Sequence, residues 1–117
     1  MPPHATSAGK AMQAYMPLNQ VQQIYLNNHQ ELTSHTKINL ESFLKELEEV
    51  RVNGYAVSDE ELQLGVQGVA CPIFDYNGKA IGAVSFTALK SDNFLTDDNI
   101  QLLKECAQNI SKSVGAL

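Results

Sequence analysis

Three sets of residues in this chain have types and spacings that could do chemistry. The first is Gly9-Lys10 in "HATSAGKAM", residues 4–12, at a loop-to-helix junction where such a pair can cradle a nucleotide phosphate. A Walker loop also needs a glycine five positions before Gly9 and a Ser or Thr after the lysine. Those positions hold His4 and Ala11, so the glycine cradle and the magnesium hydroxyl are both missing. What remains is a helix start of small residues, Thr6, Ser7, Ala8 and Gly9. Its N–H groups have no partners inside the helix and attract anions, carboxylates included. An ordinary capped helix packed on a sheet would use the same residues. The second set is Ser85 and Thr87, two hydroxyls at alternate positions of one strand, which suit a small polar ligand or simply bond to backbone and solvent. The third is Cys71 with His4 or His35, a nucleophile and a base. Its strand position predicts a buried, inert thiol. His4 is expected as a packing or capping residue, and His29 and His35 as solvated.

The elements that position these groups follow from the punctuation of the sequence. Thr6 or Ser7 caps a first helix carrying Ala8, Ala11, Met12 and Tyr15, and Pro17 ends it. A second helix over roughly 19–28 starts with Asn19 as its cap. Asn39 caps a third, with Leu40, Phe43, Leu44, Leu47 and Val50 on one face, and Gly54 stops it in a left-handed conformation. "GYAVSDEE" reads as a strand entering an acidic turn. "QGVACPIFD" and "KAIGAVSFTAL" flank "YNG" as a hairpin. Thr96 caps a last helix from about Asp97 to Val114. The order α-α-α-β-β-β-α, with an antiparallel hairpin, is that of an α+β fold.

Pro72 constrains the hairpin register, because it has no N–H to give at a hydrogen-bonded site. A three-residue loop, Tyr76-Asn77-Gly78, pairs Asp75 with Lys79 and puts Pro72 opposite Gly82 at a non-hydrogen-bonded site. One face then carries Ile73/Ile81, Cys71/Ala83, Val69/Ser85 and Gln67/Thr87. The other carries Phe74/Ala80, Pro72/Gly82, Ala70/Val84 and Gly68/Phe86.

Composition excludes some classes. The 117 residues suit one domain, and 44% hydrophobic residues predict a globular core. A net charge of −5 with scattered Lys and Arg makes this chain alone a poor nucleic-acid binder. No apolar run approaches the ~18 residues of a membrane span, and no signal-peptide pattern is present, so a cytoplasmic protein without membrane contact is expected. Cys71 and Cys106 lack metal-ligand spacing, and neither a metal nor a cofactor is expected.

The chain resembles the C-terminal effector-binding domain of the IclR family of bacterial transcription regulators. The stretches that carry the resemblance are "PPHATSAGKAM", "LTSHTKIN", "LKELEEVRVNGYAVSDEE", "GVQGVACPIFDYNGKAIGAVSFTA" and "ISKSVG", in family order along essentially the whole chain. The resemblance implies a GAF-like α+β domain that senses a small metabolite, often a carboxylic acid. It helps to set a homodimer or tetramer, and it is not an enzyme. DNA would be read only by an N-terminal winged helix-turn-helix that this chain does not contain. Carried over by position, the ligand contacts fall at Ser7, Ala8, Ser58, Gly68, Ser85 and Thr87.

Departures from the family pattern matter. Many relatives have Asp where this chain has Ser58, some have Cys at Gly68, and many read Ser-Gly-Pro for Thr87-Ala88-Leu89. A shifted turn would let Asp59 supply the missing carboxylate; a solvated acidic turn is the plainer expectation. Family domains also carry a helix and several strands before the "PPHATSAGKAM" motif. Residues 1–117 are therefore expected to form the C-terminal portion of such a domain, with an incomplete sheet and one open or covered edge. The alternative to a sensor is an oligomerisation module with a vestigial pocket.

Overall fold

A computed structural model describes residues 2–115. Helices α1 (Ser7–Gln13), α2 (Leu18–Asn28) and α3 (Leu40–Asn53) precede strands β1 (Ala56–Asp59), β2 (Val66–Phe74) and β3 (Ala80–Leu89). A 3₁₀ turn, Lys90–Asp92, leads to helix α4 (Asp97–Ser113). The strands form one antiparallel sheet in the order β1-β2-β3. This is the expected α+β architecture, and among the described residues no strand lies outside β3.

Local chemistry explains most of the boundaries. Thr6 caps α1, its hydroxyl accepting the Gly9 N–H at 3.2 Å. Asn39 and Thr96 cap α3 and α4 in the same way, through the N–H groups of Ser42 and Asn99. Gly54 ends α3 with φ of +82°, a conformation that side chains rarely adopt. Two expectations need correction. Helix α1 ends at Gln13, ahead of Pro17. Pro17, with no side-chain cap bond, sits immediately before α2, so Asn19 lies inside that helix.

The hairpin turn forms as expected: Asp75 N–H donates to Lys79 O at 2.9 Å, and Gly78 takes φ of +77°. The register beyond it differs from the expected one. Phe74 faces Ala80, but Ile73 faces Gly82, so Ile81 is an extra residue in a β-bulge. Every later pair is displaced by one: Pro72 faces Ala83, Ala70 faces Ser85 and Gly68 faces Thr87. The bulge keeps Pro72 at a non-hydrogen-bonded site, so proline chemistry is satisfied in a register that an unbulged ladder would forbid.

The displaced register fixes the two faces. Ala56, Ser58, Gly68, Ala70, Ser85 and Thr87 share the face covered by α1. Here lies the core: Ala11, Ala14, Val21, Tyr25, Phe43 and Leu47, packed on Ala56 and Ala70 with further apolar neighbours. Helix α4 covers the other face, with Ala107 and Ser111 buried; the Ser111 hydroxyl takes the Phe74 N–H at 3.0 Å.

Candidate functional site

The site is built from the start of α1 and the middle of β2 and β3. Gly68 is its pivot. A Cβ placed on Gly68 would lie 2.9 Å from Ser7 Oγ and 3.4 Å from Thr87 Oγ1, so the absence of a side chain here lets both hydroxyls close in on the strand. Ser85 stands two residues along β3 from Thr87 on the same face, opposite Ala70. Ser7 is buried, Ala8 is half-buried, and Ser85 and Thr87 are exposed. The result is a shelf with a buried hydroxyl on its inner side and two open ones on its outer side. The N–H groups of Ser7 and Ala8 precede the first bond of α1, Lys10 N–H to Thr6 O, and have no partner within the helix. In the unbulged register Gly68 would have faced away from Ser85 and Thr87; the bulge brings all three together.

Two expected residues behave differently. Ser58 lies on the shared face but is buried, and its hydroxyl donates to Ala5 O at 2.6 Å. It fastens the loop before α1 to β1. Asp59 is not delivered by a shifted turn. It alternates to the opposite side of β1, accepts a hydrogen bond from Gln67 Nε2 at 2.9 Å and lies 3.2 Å from Lys90 Nζ. The Gln67 bond, with Lys90 beside it, holds its carboxyl below the usual range.

The buried carboxylate at this turn is Glu61, and its partner is Lys10. Lys10 is fully buried. Its Nζ lies 2.6 Å from Glu46 Oε1, 2.7 and 2.8 Å from the two oxygens of Glu61, and 2.8 Å from Val57 O. The glycine before it is equally constrained: a Cβ on Gly9 would sit 2.6 Å from Pro3 O. The Gly9-Lys10 pair is therefore a packing device. Glycine lets the Pro3 strap cross α1, and lysine ties α1 to α3 and to the turn after β1. Sequence reasoning missed this role. The available signal was helical spacing, since Ser7, Lys10, Ala11 and Ala14 fall on one buried face.

The thiol and imidazoles do not form a catalytic set. Burial pushes the Cys71 thiol up to about 11, which leaves it protonated and unreactive at neutral pH. His4 is buried with Nε2 2.7 Å from Gln30 O; a carbonyl only accepts, so Nε2 carries the proton. His35 is exposed, 3.8 Å from Glu60. His29 is exposed too, but it stacks on Tyr25. Among the described residues no His, Cys, Asp and Glu cluster could hold a metal ion, and no helix is long and apolar enough to cross a membrane.

Comparison with known proteins bears on the same geometry. Residues 1–112 match the family described as bacterial transcriptional regulator IclR C-terminal. The chain is 36% identical over 115 residues to the Pca operon regulatory protein of Acinetobacter baylyi, covering 94% of this chain and 41% of that protein. It thus spans less than half the length of the curated relatives it matches. Among solved structures, the C-terminal domain of the E. coli transcriptional regulator KdgR superposes with a TM-score of 0.87 at 27% identity, over 97% of this chain and 71% of that one. The inducer-binding domain of the transcription factor PobR from Acinetobacter, a double mutant in complex with 3-hydroxybenzoic acid, gives a TM-score of 0.87 at 28% identity, over 95% of this chain and 68% of that one. These relatives are transcriptional regulators and not enzymes. With its family match running from the first residue to the last turn of α4, the chain belongs to the IclR C-terminal family of bacterial transcriptional regulators.

Proposed function

We propose that this chain is the effector-sensing part of a bacterial DNA-binding regulator and that its effector is a small organic acid. The observation that carries the reading is the convergence of the Ser7 and Thr87 hydroxyls at Gly68, a residue whose lack of a side chain lets them approach the strand backbone closely. A carboxylate resting on the open side of the shelf accepts hydrogen bonds from the Ser7 and Ala8 N–H groups and from the hydroxyls of Ser85 and Thr87. The PobR inducer-binding domain, solved with a hydroxybenzoic acid, supports this ligand class. Binding acts by differential affinity: it favours one arrangement of a homodimer or tetramer. A helix-turn-helix domain outside this chain then changes its hold on DNA in the cytoplasm.

The test is calorimetric titration of the chain with a panel of hydroxybenzoates and short aliphatic carboxylates. At least one acid is expected to bind, and Ser85→Ala is expected to weaken it about tenfold, the worth of one hydrogen bond to a charged group. Silence across the panel, or an unchanged affinity in Ser85→Ala, removes the reading. One observation favours a second reading, an oligomerisation module with a vestigial pocket. Where many relatives are expected to hold a free carboxylate, Ser58 spends its hydroxyl on Ala5 O.

A further inference from the structure

Beyond Ala70, strand β2 runs on without β1 beside it. Ala56, the first residue of β1, pairs with Ala70, and just ahead of it the backbone bends into α3 at Gly54. The overhanging part of β2, the hairpin turn and helix α4 enclose a groove of about 760 Å³. That falls within the ~300–1,000 Å³ of small-molecule sites. Its floor is apolar: Cys71, Phe74 and Ala107, with the Tyr15 ring edge-on to Phe74 at 5.0 Å between centroids. One wall is the stripe Lys104, Gln108 and Lys112 on α4, about 12 Å from end to end. The Lys104 stem arches over Gly54, where a Cβ would lie 3.7 Å from Cε, and its ammonium stands 5.3 Å from the centre of the Tyr55 ring. Among the described residues neither lysine makes an ion pair. The carboxylate on the lining, Asp75, already accepts the N–H groups of Asn77 and Lys79.

We propose that this groove binds an elongated carboxylate of the fatty-acid type, with its acid group at Lys104 and its alkyl chain along Cys71, Phe74 and Ala107 toward Tyr76. Charge selects the sign of the occupant. The chain carries a net −5, yet the unpaired charges facing this groove are ammonium groups. An amine would meet the same two lysines as like charges. The floor selects the body. Cys71, Phe74 and Ala107 give a polar body little to bond with, whereas an alkyl chain gains by leaving water there. Length follows from the stripe, since an acid of two or three carbons reaches Lys104 but leaves the floor uncovered. Lys104 is the anchoring end because it is half-buried and Lys112 is exposed, so a charge beside Lys104 is less screened by solvent. Cys71 takes no covalent part, because burial keeps its thiol protonated. The groove lies on the face of the sheet that α4 covers, away from Ser7, Ser85 and Thr87, and the proposal stands independently of the effector reading.

The test is titration of the isotopically labelled chain with decanoate below its micellar concentration, read by amide resonances. Decanoate is expected to move Gly54, Cys71, Gln108 and Ser111 and to leave Ser7, Ala8 and Gly68 in place. Decylammonium, with the same alkyl chain and the opposite charge, is expected not to move these amides. Propionate, with the same acid group and almost no chain, is expected not to move them either. Both comparisons use the unaltered chain, so they hold whether or not a variant folds. Lys104→Gln is expected to weaken decanoate about tenfold, and Lys104→Arg, which keeps the charge, to retain it. Ser85→Ala is expected to leave it unchanged. Silence with decanoate overturns the proposal, as do equal shifts with decylammonium or an unchanged affinity in Lys104→Gln. So do decanoate shifts centred on Phe86 and Leu102, because the apolar hollow on the far side of α4 is then the site. An acid that binds at Ser7 and Ala8 while decanoate leaves the groove unmoved keeps the effector reading and sinks this one.

Discussion

Lys10 shows how a single residue can look functional for the wrong reason. Its ammonium is enclosed by Glu46, Glu61 and Val57 O, so removing it strands two carboxylates away from their cation. Lys10→Met is expected to cost about 3–5 kcal/mol in urea unfolding, whereas Lys10→Met with Glu46→Gln and Glu61→Gln together recovers much of the loss. A single-variant cost below ~1 kcal/mol would show that the pair is not sealed from water. Gly68 makes a second case. Gly68→Ala places a methyl 2.9 Å from Ser7 Oγ, an overpacking expected to cost about 1–3 kcal/mol. Ser7→Ala removes that hydroxyl, and the nearest Ser7 atom is then Cβ at 3.6 Å, an ordinary contact. The double variant is therefore expected to be more stable than Gly68→Ala alone, and strict additivity would show that the two residues do not touch. Neither role was legible in the residues themselves. A buried lysine reads as an exposed one until its partners, far along the chain, are known. The packing at Gly68 depends on a register set elsewhere.

At the scale of elements, legibility follows how local the cause is. Caps at Thr6, Asn39 and Thr96 and the stop at Gly54 depend on side chains within a few residues, and these were readable. So was the Tyr76-Asn77-Gly78 turn. The bulge at Ile81 was not, since the residue it displaces is chosen by how both sheet faces pack, and it moved every later pair by one. The turn after β1 has its own local signature in pH. Glu60 is held below its ordinary range by the Gly65 N–H and by Lys90, and Asp59 by Gln67 and Lys90. Groups lowered in the fold contribute fully above the unfolded carboxylate value, near ~4, and lose that contribution as pH falls through their folded values. The Gly65 amide, 2.9 Å from Glu60 Oε1, is expected to shift its resonance and to lose protection relative to an unstructured amide at the same pH below about pH 4. Lys90→Met is expected to move that transition to higher pH. An amide that stays unchanged down to pH 2 would mean the turn does not depend on these carboxylates.

The molecule as a whole is packed unequally on its two faces. On the α1 side the core is closed, with Phe43, Ala11 and Ala70 fully buried. On the α4 side an apolar hollow of about 290 Å³ lies among Val69, Phe86, Phe94, Leu102 and Cys106, and Leu102 is left largely exposed. Interiors are close-packed, so an added methyl group strains the first face, whereas on the second it finds space and new contacts. Cys106 is exposed at the rim of this open hollow, so Cys106→Leu is expected to stabilise the chain by about 1 kcal/mol by covering part of its apolar floor. At a fixed protein concentration that raises the melting temperature by roughly 4–8 °C for a domain of this size. Ala70→Leu adds a comparable volume to the closed face and is expected to destabilise by at least ~1–3 kcal/mol. If Cys106→Leu instead lowers the melting temperature, the hollow is already filled in solution, and by something that competes with a side chain from α4.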